Sequence, residues 1–214
     1  MGKRGGLNLM NLMYKKKEFI ILVFTNLILQ LGITYYVMKN TDRKYINIWP
    51  LIAAQLIIIF IMILIPMPES IKFLLFCTFS YIFGLILSLL KKEYSEEIIN
   101  VAIQGALTIF TFMLATGVFL FMGGINLGYK FGAILFWSLL ALIVARLVFV
   151  LGVKMDQANK ILSFVGIILF AVYVVYDTNN ILQRDYYGDF ITASMDYYLD
   201  ILNLFSNLLG RVDN

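Results

Sequence analysis

The sequence predicts an all-α integral membrane protein of seven helices, six of them surrounding a central C-terminal seventh. Of its 214 residues, 61% are hydrophobic and 14% are charged, whereas soluble domains are about 45–50% apolar and about 25% charged. The apolar residues form continuous runs of the length that a helical span needs. A membrane β-barrel would instead show segments of ~10 residues with alternating hydrophobicity. Nearly the whole chain is therefore expected in or against a bilayer.

Six apolar runs predict the surrounding helices, and polar or helix-breaking residues bound them. The predicted ranges are 19–38, 46–66, 71–90, 97–122, 128–153 and 160–182. A signal peptide has a shorter apolar core and a small-residue cleavage site, so we expect the first run to be retained. The turn Pro66–Glu69 separates the second helix from the third, and Gly123–Gly124 ends the fourth.

The seventh segment, 189–210, is the least apolar and carries a polar stripe. Because such a segment would be unstable facing lipid, we expect other helices to enclose it, or expect it to re-enter the membrane. Spacings of four and three residues place one set of side chains on a single helical face. This set is Asp189, Ala193, Asp196, Asp200, Asn203 and Asn207.

The sixth helix has a matching stripe of Tyr173, Asp177, Asn180 and Arg184. The loop to the seventh helix is short, so the two helices are expected to be antiparallel neighbours. Asp177 lies within about two turns of its helix end, and Asp200 lies about three turns into the next helix. The spacing therefore predicts two carboxyl groups at similar depth in the membrane.

Two acids in a membrane interior point to proton and cation chemistry. One charged side chain at the bilayer centre costs at least ~2.5–3.5 kcal/mol, and a second nearby acid adds repulsion. A shared proton or a bound cation relieves that cost, and oxygen ligands favour hard cations such as Ca²⁺. Because the chain has no histidine, a response between about pH 6 and 8 is assigned to carboxyl groups. We predict that Asp177 and Asp200 form a pH sensor and a transient Ca²⁺ site.

Other polar residues have two interpretations. Asp196, Asp189, Asn180 and Asn203 are candidate pore or cation-site residues, whereas intramembrane Asp or Asn side chains also serve as hydrogen-bond partners between helices. Asp189 also fits the carboxylate that starts a helix, and Arg146 either snorkels or neutralises an acid. The helix glycines are expected at close-packing positions; they include Gly84, Gly105, Gly117, Gly132 and Gly166.

The remaining composition excludes several function classes. A single cysteine, Cys77, and no histidine exclude an intrachain disulfide and a His/Cys metal site. We expect no cofactor, with Ca²⁺ only as the permeant ion. The net charge of +4 is concentrated in an N-terminal tail, which favours a cytoplasmic anchor over nucleic-acid binding. The predicted organisation is a basic cytoplasmic tail, 1–18, and a single seven-helix domain, 19–214, whose partners are the lipid bilayer, Ca²⁺ and H⁺.

The motifs YDTNNI (176–181) and YYLDILNLFSNLL (197–209) resemble the C-terminal signature of the transmembrane Bax inhibitor motif family. GALTIFTFMLATG (105–117) and, loosely, TFSYIFGLIL (78–87) extend the resemblance. It implies six helices around a central seventh. It also implies that Asp177 and Asp200 match the aspartate pair of the bacterial calcium-leak members, in which proton sharing favours the closed state and deprotonation lets Ca²⁺ pass.

Eukaryotic and viral members of that family, including the Golgi anti-apoptotic proteins, lower luminal calcium stores and suppress cell death. In those members an acid at the start of the last helix also matters, and Asp189 is the nearest match. The resemblance is compatible with a bacterial plasma membrane, or with the Golgi or endoplasmic reticulum.

Two positions depart from the family pattern. The arginine-rich turn that supplies a latch for the acid pair reads PMPESIK (66–72) here, with Lys72 as its only cation. The latch is therefore absent, displaced to Lys72, or supplied by Arg146. Asp196 adds a carboxyl group one turn before Asp200, where a neutral residue is usual.

Three other functions fit parts of the pattern, namely a non-conducting interaction protein, a proton-coupled cation exchanger and an intramembrane aspartyl protease. Tyr176-Asp177 matches the first protease motif, but the second requires GxGD. The only Gly-Asp pair, Gly188-Asp189, lacks the leading glycine. We therefore expect a protein that is not an enzyme.

Overall fold

The computed structural model describes residues 11, 13–41, 47–152, 156–184 and 186–212. Within these residues the chain is helical and contains no β-strand, which confirms the predicted all-α fold. The helices are α1 (Lys17–Asn40), α2 (Ile48–Leu64), α3 (Glu69–Ser88), α4 (Glu96–Met122), α5 (Tyr129–Gly152), α6 (Asp156–Gln183) and α7 (Phe190–Val212). A short 3₁₀ helix, Leu89–Lys92, continues α3.

The helix ends lie close to the predicted ones because local polar groups set them. The Asn47 side chain accepts a hydrogen bond from the Trp49 backbone and caps α2. The largest difference is at α6, which begins at Asp156 rather than at 160. Its first turn is polar, so the helix extends beyond its apolar part. Most of the predicted basic tail (1–10 and 12), the loop at 42–46 and residues 153–155 lie outside the described residues.

Five of the described helices are long and apolar enough to cross a membrane, and they are α1, α3 with its 3₁₀ extension, α4, α5 and α6. α2 is apolar but has only 17 residues, about 25 Å of helix. α5 exposes many large apolar side chains, including Phe136, Trp137 and Leu147. Such a surface suits contact with lipid, and the protein is an integral membrane protein.

Packing divides the chain into two compact units. Unit 1 comprises Met1–Glu18, Glu97–Tyr186 and Leu199–Asn214, and unit 2 comprises Phe19–Glu96 and Tyr187–Tyr198. In unit 1, α5 packs against α6; in unit 2, α2 packs against α3. The enclosure of α7 by the other six helices stays a prediction, as does the single domain over 19–214.

The core of unit 2 is aromatic. The Tyr198 ring lies edge-on to Phe76 and Phe79, with centroid distances of 5.2 and 6.0 Å, and its hydroxyl lies 2.6 Å from the Thr34 hydroxyl. Edge-to-face geometry is favoured for aromatic pairs. The ring therefore packs in the core of unit 2, while its hydroxyl has a polar partner.

In unit 1, α6 is contacted at its two ends by opposite ends of the chain. Lys16 donates a hydrogen bond to the Ile181 carbonyl, 3.0 Å away, and Gly210 lies against Ser163. Ile181 and Ser163 are 18 residues apart, about 27 Å along the helix. Lys16 and Gly210 therefore lie at opposite ends of a helix of membrane-spanning length.

α7 is buried on its polar and its apolar faces alike. Asp200 and Asn207 on the polar stripe are 4% and 2% exposed, and Tyr198 and Phe205 on other faces are 0% and 3% exposed. Because these side chains are shielded, the helix does not need the hydropathy of a lipid-facing span. The prediction of an interior helix is confirmed in this respect.

Candidate functional site

The two acids singled out in the sequence meet in unit 1. Asp177 lies on α6 and Asp200 on α7, and their side chains are joined by a hydrogen bond. α6 ends at Gln183 and α7 begins at Phe190. In the short connection between these helices, Tyr187 and Gly188 both have positive φ angles, 52° and 83°. This turn makes α6 and α7 neighbours, as the sequence predicts. The carboxyl groups of Asp177 and Asp200 therefore lie at matching depths, which their contact requires.

The surroundings of the pair are polar on α6. The Tyr173 hydroxyl lies within electrostatic range of both Asp177 and Asp200, and Arg184 lies within electrostatic range of Asp177. Tyr173 and Arg184 stand four residues before and seven residues after Asp177, so all three share one helical face. Helical spacing predicts Arg184 on this stripe, but it does not predict that Arg184 is a countercharge for the pair.

Close packing fixes α6 beside α5 at the neighbouring residue Tyr176. Its ring packs on Phe131 at a centroid distance of 5.9 Å, and its hydroxyl occupies the space that a Cβ at Gly132 would need. Only glycine permits this approach, which confirms the close-packing prediction for Gly132. The motif tyrosine is thus a packing residue whose backbone holds Asp177 in place.

Asn179, which precedes Asn180 in the motif YDTNNI, binds the loop between α4 and α5. Its side chain is fully buried, accepts a hydrogen bond from the Leu127 backbone and donates one to the Ile125 carbonyl, both at 2.9 Å. Helical spacing points to its neighbour Asn180, which is also buried, and not to Asn179. Asn179 does not lie on the helical face that carries Asp177, so helical spacing does not predict its role.

The two candidate latch cations bind other groups in this structure. Arg146 donates a hydrogen bond to the Asn207 side chain, two turns along α7 from Asp200. Asn207 in turn donates to the Asn203 carbonyl at 2.7 Å, and Asn203 donates to the Leu199 carbonyl at 2.8 Å. The interpretation of Asn207 as a hydrogen-bond partner between helices therefore agrees with the structure.

Lys72 forms an ion pair with Asp189 within unit 2. Asp189 also caps α7, because its side chain accepts hydrogen bonds from the Thr192 backbone at 3.0 Å and from the Thr192 hydroxyl at 2.7 Å. Burial alone would raise the pKa of Asp189, but the hydrogen bonds from Lys72 and Thr192 outweigh it and lower that pKa below its ordinary value. Asp189 is thus an ionised helix-start carboxylate.

A neutral polar ladder runs through the core of unit 2. The Asn26 amide donates to the Ser194 hydroxyl at 2.6 Å, and the Gln30 amide donates to the Asn26 oxygen at 3.1 Å. The Ser80 hydroxyl donates to the Gln30 oxygen at 2.8 Å. These bonds join α1, α3 and α7, and no sequence motif marked them.

Asp196 lies half-buried in the part of α7 that belongs to unit 2. Among the residues that the structure describes, no group of three or more acidic or cysteine side chains is arranged to hold a metal ion. Neither Asp196 nor the Asp177–Asp200 pair therefore belongs to such a group.

Comparison with known proteins gives one family. A family model described as "Inhibitor of apoptosis-promoting Bax1" matches residues 15–212. Protein LIFEGUARD 1 of Arabidopsis thaliana is 35% identical over 83 residues, which cover 39% of this chain and 35% of that protein. The Golgi anti-apoptotic protein of Vaccinia virus is 33% identical over 107 residues, which cover 48% of this chain and 45% of that protein. The aligned segments thus span less than half the length of these relatives.

Proposed function

Because the chain belongs to the Bax inhibitor family, we propose that it is a pH-sensitive calcium leak channel gated by Asp177 and Asp200. The observation that carries the proposal is the side-chain hydrogen bond between these acids on adjacent helices. An ionised carboxylate only accepts hydrogen bonds, so a bond between two carboxyl groups requires a proton on one of them. We take this arrangement as the proton-sharing, closed state of the proposed channel.

Opening follows from loss of the shared proton. Two ionised carboxylates in contact repel each other and are costly in a membrane interior. Separation of α6 from α7 or binding of a cation relieves this cost, and carboxylate oxygens are the ligands that Ca²⁺ prefers. Arg184 contributes a favourable charge near Asp177 and takes the electrostatic part that the family's latch arginine plays.

The test is calcium flux through the purified protein in liposomes, with equal pH on both sides. We expect Ca²⁺ to pass faster at pH 8 than at pH 6, with a steepness of up to about tenfold per pH unit for one titrating proton. Asp177→Asn and Asp200→Asn should each flatten this dependence, because an amide at either position cannot take up the shared proton.

Asp196→Asn is the matched control, since it makes the same change one turn from Asp200 on the same helix. It should keep the pH dependence of the wild type. If Asp177→Asn and Asp200→Asn both retain the wild-type profile, the carboxyl gate is wrong. An imposed proton gradient that drives Ca²⁺ uphill would instead identify a proton-coupled exchanger.

A second candidate function is suppression of cell death without ion conduction. The names of the family model and of the viral relative describe inhibition of apoptosis, which favours an anti-apoptotic role for this chain. Wild-type protein that passes no Ca²⁺ at any pH, yet protects cells from death, would favour this function over the channel. In that case the contact between Asp177 and Asp200 would hold α6 and α7 together and would not gate a channel.

A further inference from the structure

One cation of unit 1 lies within an apolar helix without an acidic partner. Arg146 is half-buried on α5 and bonds to the neutral Asn207 amide, while its Nε is buried with no hydrogen-bond partner. The hydrogen bond to Asn207 brings no negative charge, which leaves Arg146 unneutralised. A guanidinium carries five donors and its charge is permanent, so this position favours a bound anion.

Two further cations lie at the same end of unit 1. The Arg211 guanidinium stacks over the Phe164 ring of α6, 4.7 Å from its centroid, and Arg211 stands one turn beyond Asn207 on α7. Lys160 stands one turn before Phe164 on α6 and so shares its face. Arg146, Arg211 and Lys160 therefore come from three helices and surround the first turns of α6; together we call them the basic cluster.

Close packing of α6 against α7 holds this end together. A Cβ at Gly166 would overlap the Asn207 side chain, and one at Gly210 would lie 2.7 Å from the Ser163 hydroxyl. Because Asn207 is fixed against Gly166, it holds the Arg146 guanidinium at a set position. Arg146 is thus anchored, which a freely snorkelling arginine would not be.

The depth of the basic cluster selects the kind of anion. Arg146 stands six residues before the end of α5, about 9 Å along the helix, whereas Arg211 and Lys160 lie closer to the helix ends. Lipid phosphates lie just outside the ~30 Å hydrocarbon layer, and basic pockets between membrane helices bind anionic headgroups. Arginine also matches the two oxygens of a phosphate with paired hydrogen bonds.

We propose that the basic cluster binds the phosphate group of an anionic phospholipid between the ends of α5 and α7 and the start of α6. The phosphate accepts hydrogen bonds from Arg146 and Arg211, and Lys160 adds a positive charge at the rim. This site lies at the opposite end of α6 from Ile181 and its partner Lys16. Its occupancy does not depend on calcium conduction.

The experiment is native mass spectrometry of the full purified chain with added phosphatidylglycerol or phosphatidylcholine. We expect the wild type to retain phosphatidylglycerol in preference to phosphatidylcholine. Arg146→Gln and Arg211→Gln should each weaken this binding roughly fivefold, the loss expected for one cation near a membrane surface.

Lys130→Gln is the matched control, because it removes the same charge from the other end of α5 and should leave binding unchanged. Arg211 is exposed, so Arg211→Gln keeps the test valid even where Arg146→Gln fails to fold. Equal retention of both lipids by the wild type, or unchanged binding in Arg211→Gln, would overturn the site. If inorganic phosphate alone displaces the lipid at equal concentration, the ligand is soluble phosphate and the lipid assignment is wrong.

Discussion

At the scale of single residues, the acids divide into two electrostatic classes. Asp189 is held ionised by Lys72 and by the backbone of Thr192. Asp177 and Asp200 bond to each other, an arrangement that needs a proton. In the proposed gate only the second class exchanges a proton through its partner, so we expect a response between about pH 6 and 8 from the pair and not from Asp189.

Replacing Asp189 with alanine should lower stability without moving the pH dependence of calcium flux. Loss of an N-cap costs about 1 kcal/mol, which corresponds to about 2–4 °C in Tm for a chain of this size. A lowered pKa gives stability that is present above the ordinary value near 3.8 and is lost as the pH falls through the folded value. The difference in Tm from the wild type should therefore be constant between pH 6 and 8 and shrink below about pH 4.

Thermal unfolding in detergent measures this difference, and Asp189→Ser is the control. Serine keeps the cap but removes the charge, so its Tm should fall between those of the wild type and of Asp189→Ala. A flux midpoint that moves in Asp189→Ala would contradict the separation of the two classes of acid.

At the scale of helices, α1 and α6 use polar residues differently. α1 presents Asn26, Gln30 and Thr34 at four-residue intervals and joins them to α3 and α7 with neutral hydrogen bonds. α6 presents Tyr173 and Asp177 near Asp200, and Arg184 follows its last residue. The ladder of α1 therefore serves packing, whereas the stripe of α6 carries groups of the proposed gate.

Gln30→Leu should destabilise the protein by about 1–2 kcal/mol, because it leaves Asn26 and Ser80 without their partner in a buried core. Gln55→Leu is the matched control on α2. Gln55 is also buried, but its amide nitrogen has no partner among the described residues, so its replacement should be neutral or stabilising. Unfolding in a denaturing detergent gives both free energies, and equal losses would rule out a structural ladder.

Helix positions were predictable from sequence because each helix is an apolar run that ends at polar residues next to it in the chain. The Asp177–Asp200 contact was predictable because a short loop and helical spacing determine it. The ladder of Gln30 and the partner of Arg146 were not predictable, because their partners lie 50 or more residues away and depend on how helices pack. Nor did spacing reveal Asn179, whose partners are backbone groups of another loop.

At the scale of the whole molecule, apolar side chains cover the lipid-facing helix α5 while polar groups lie buried on α1, α6 and α7. Unit 1 contains both the acid pair and the basic cluster, and two turns of α7 separate Asp200 from Asn207. The proposed gate and the proposed lipid site therefore share one helix.

The central claim is that one proton is shared by Asp177 and Asp200 in the closed state. Infrared difference spectroscopy of the reconstituted protein, recorded between acidic and alkaline pH, measures this proton through the carbonyl stretch of a protonated carboxyl group. We expect that band to disappear as the pH rises. The pH midpoint of its loss should coincide with the pH midpoint of calcium flux. It should be absent from the variant Asp177→Asn/Asp200→Asn and present in Asp189→Asn. A band that persists in the double variant, or flux that begins while the band is unchanged, would contradict the shared-proton gate.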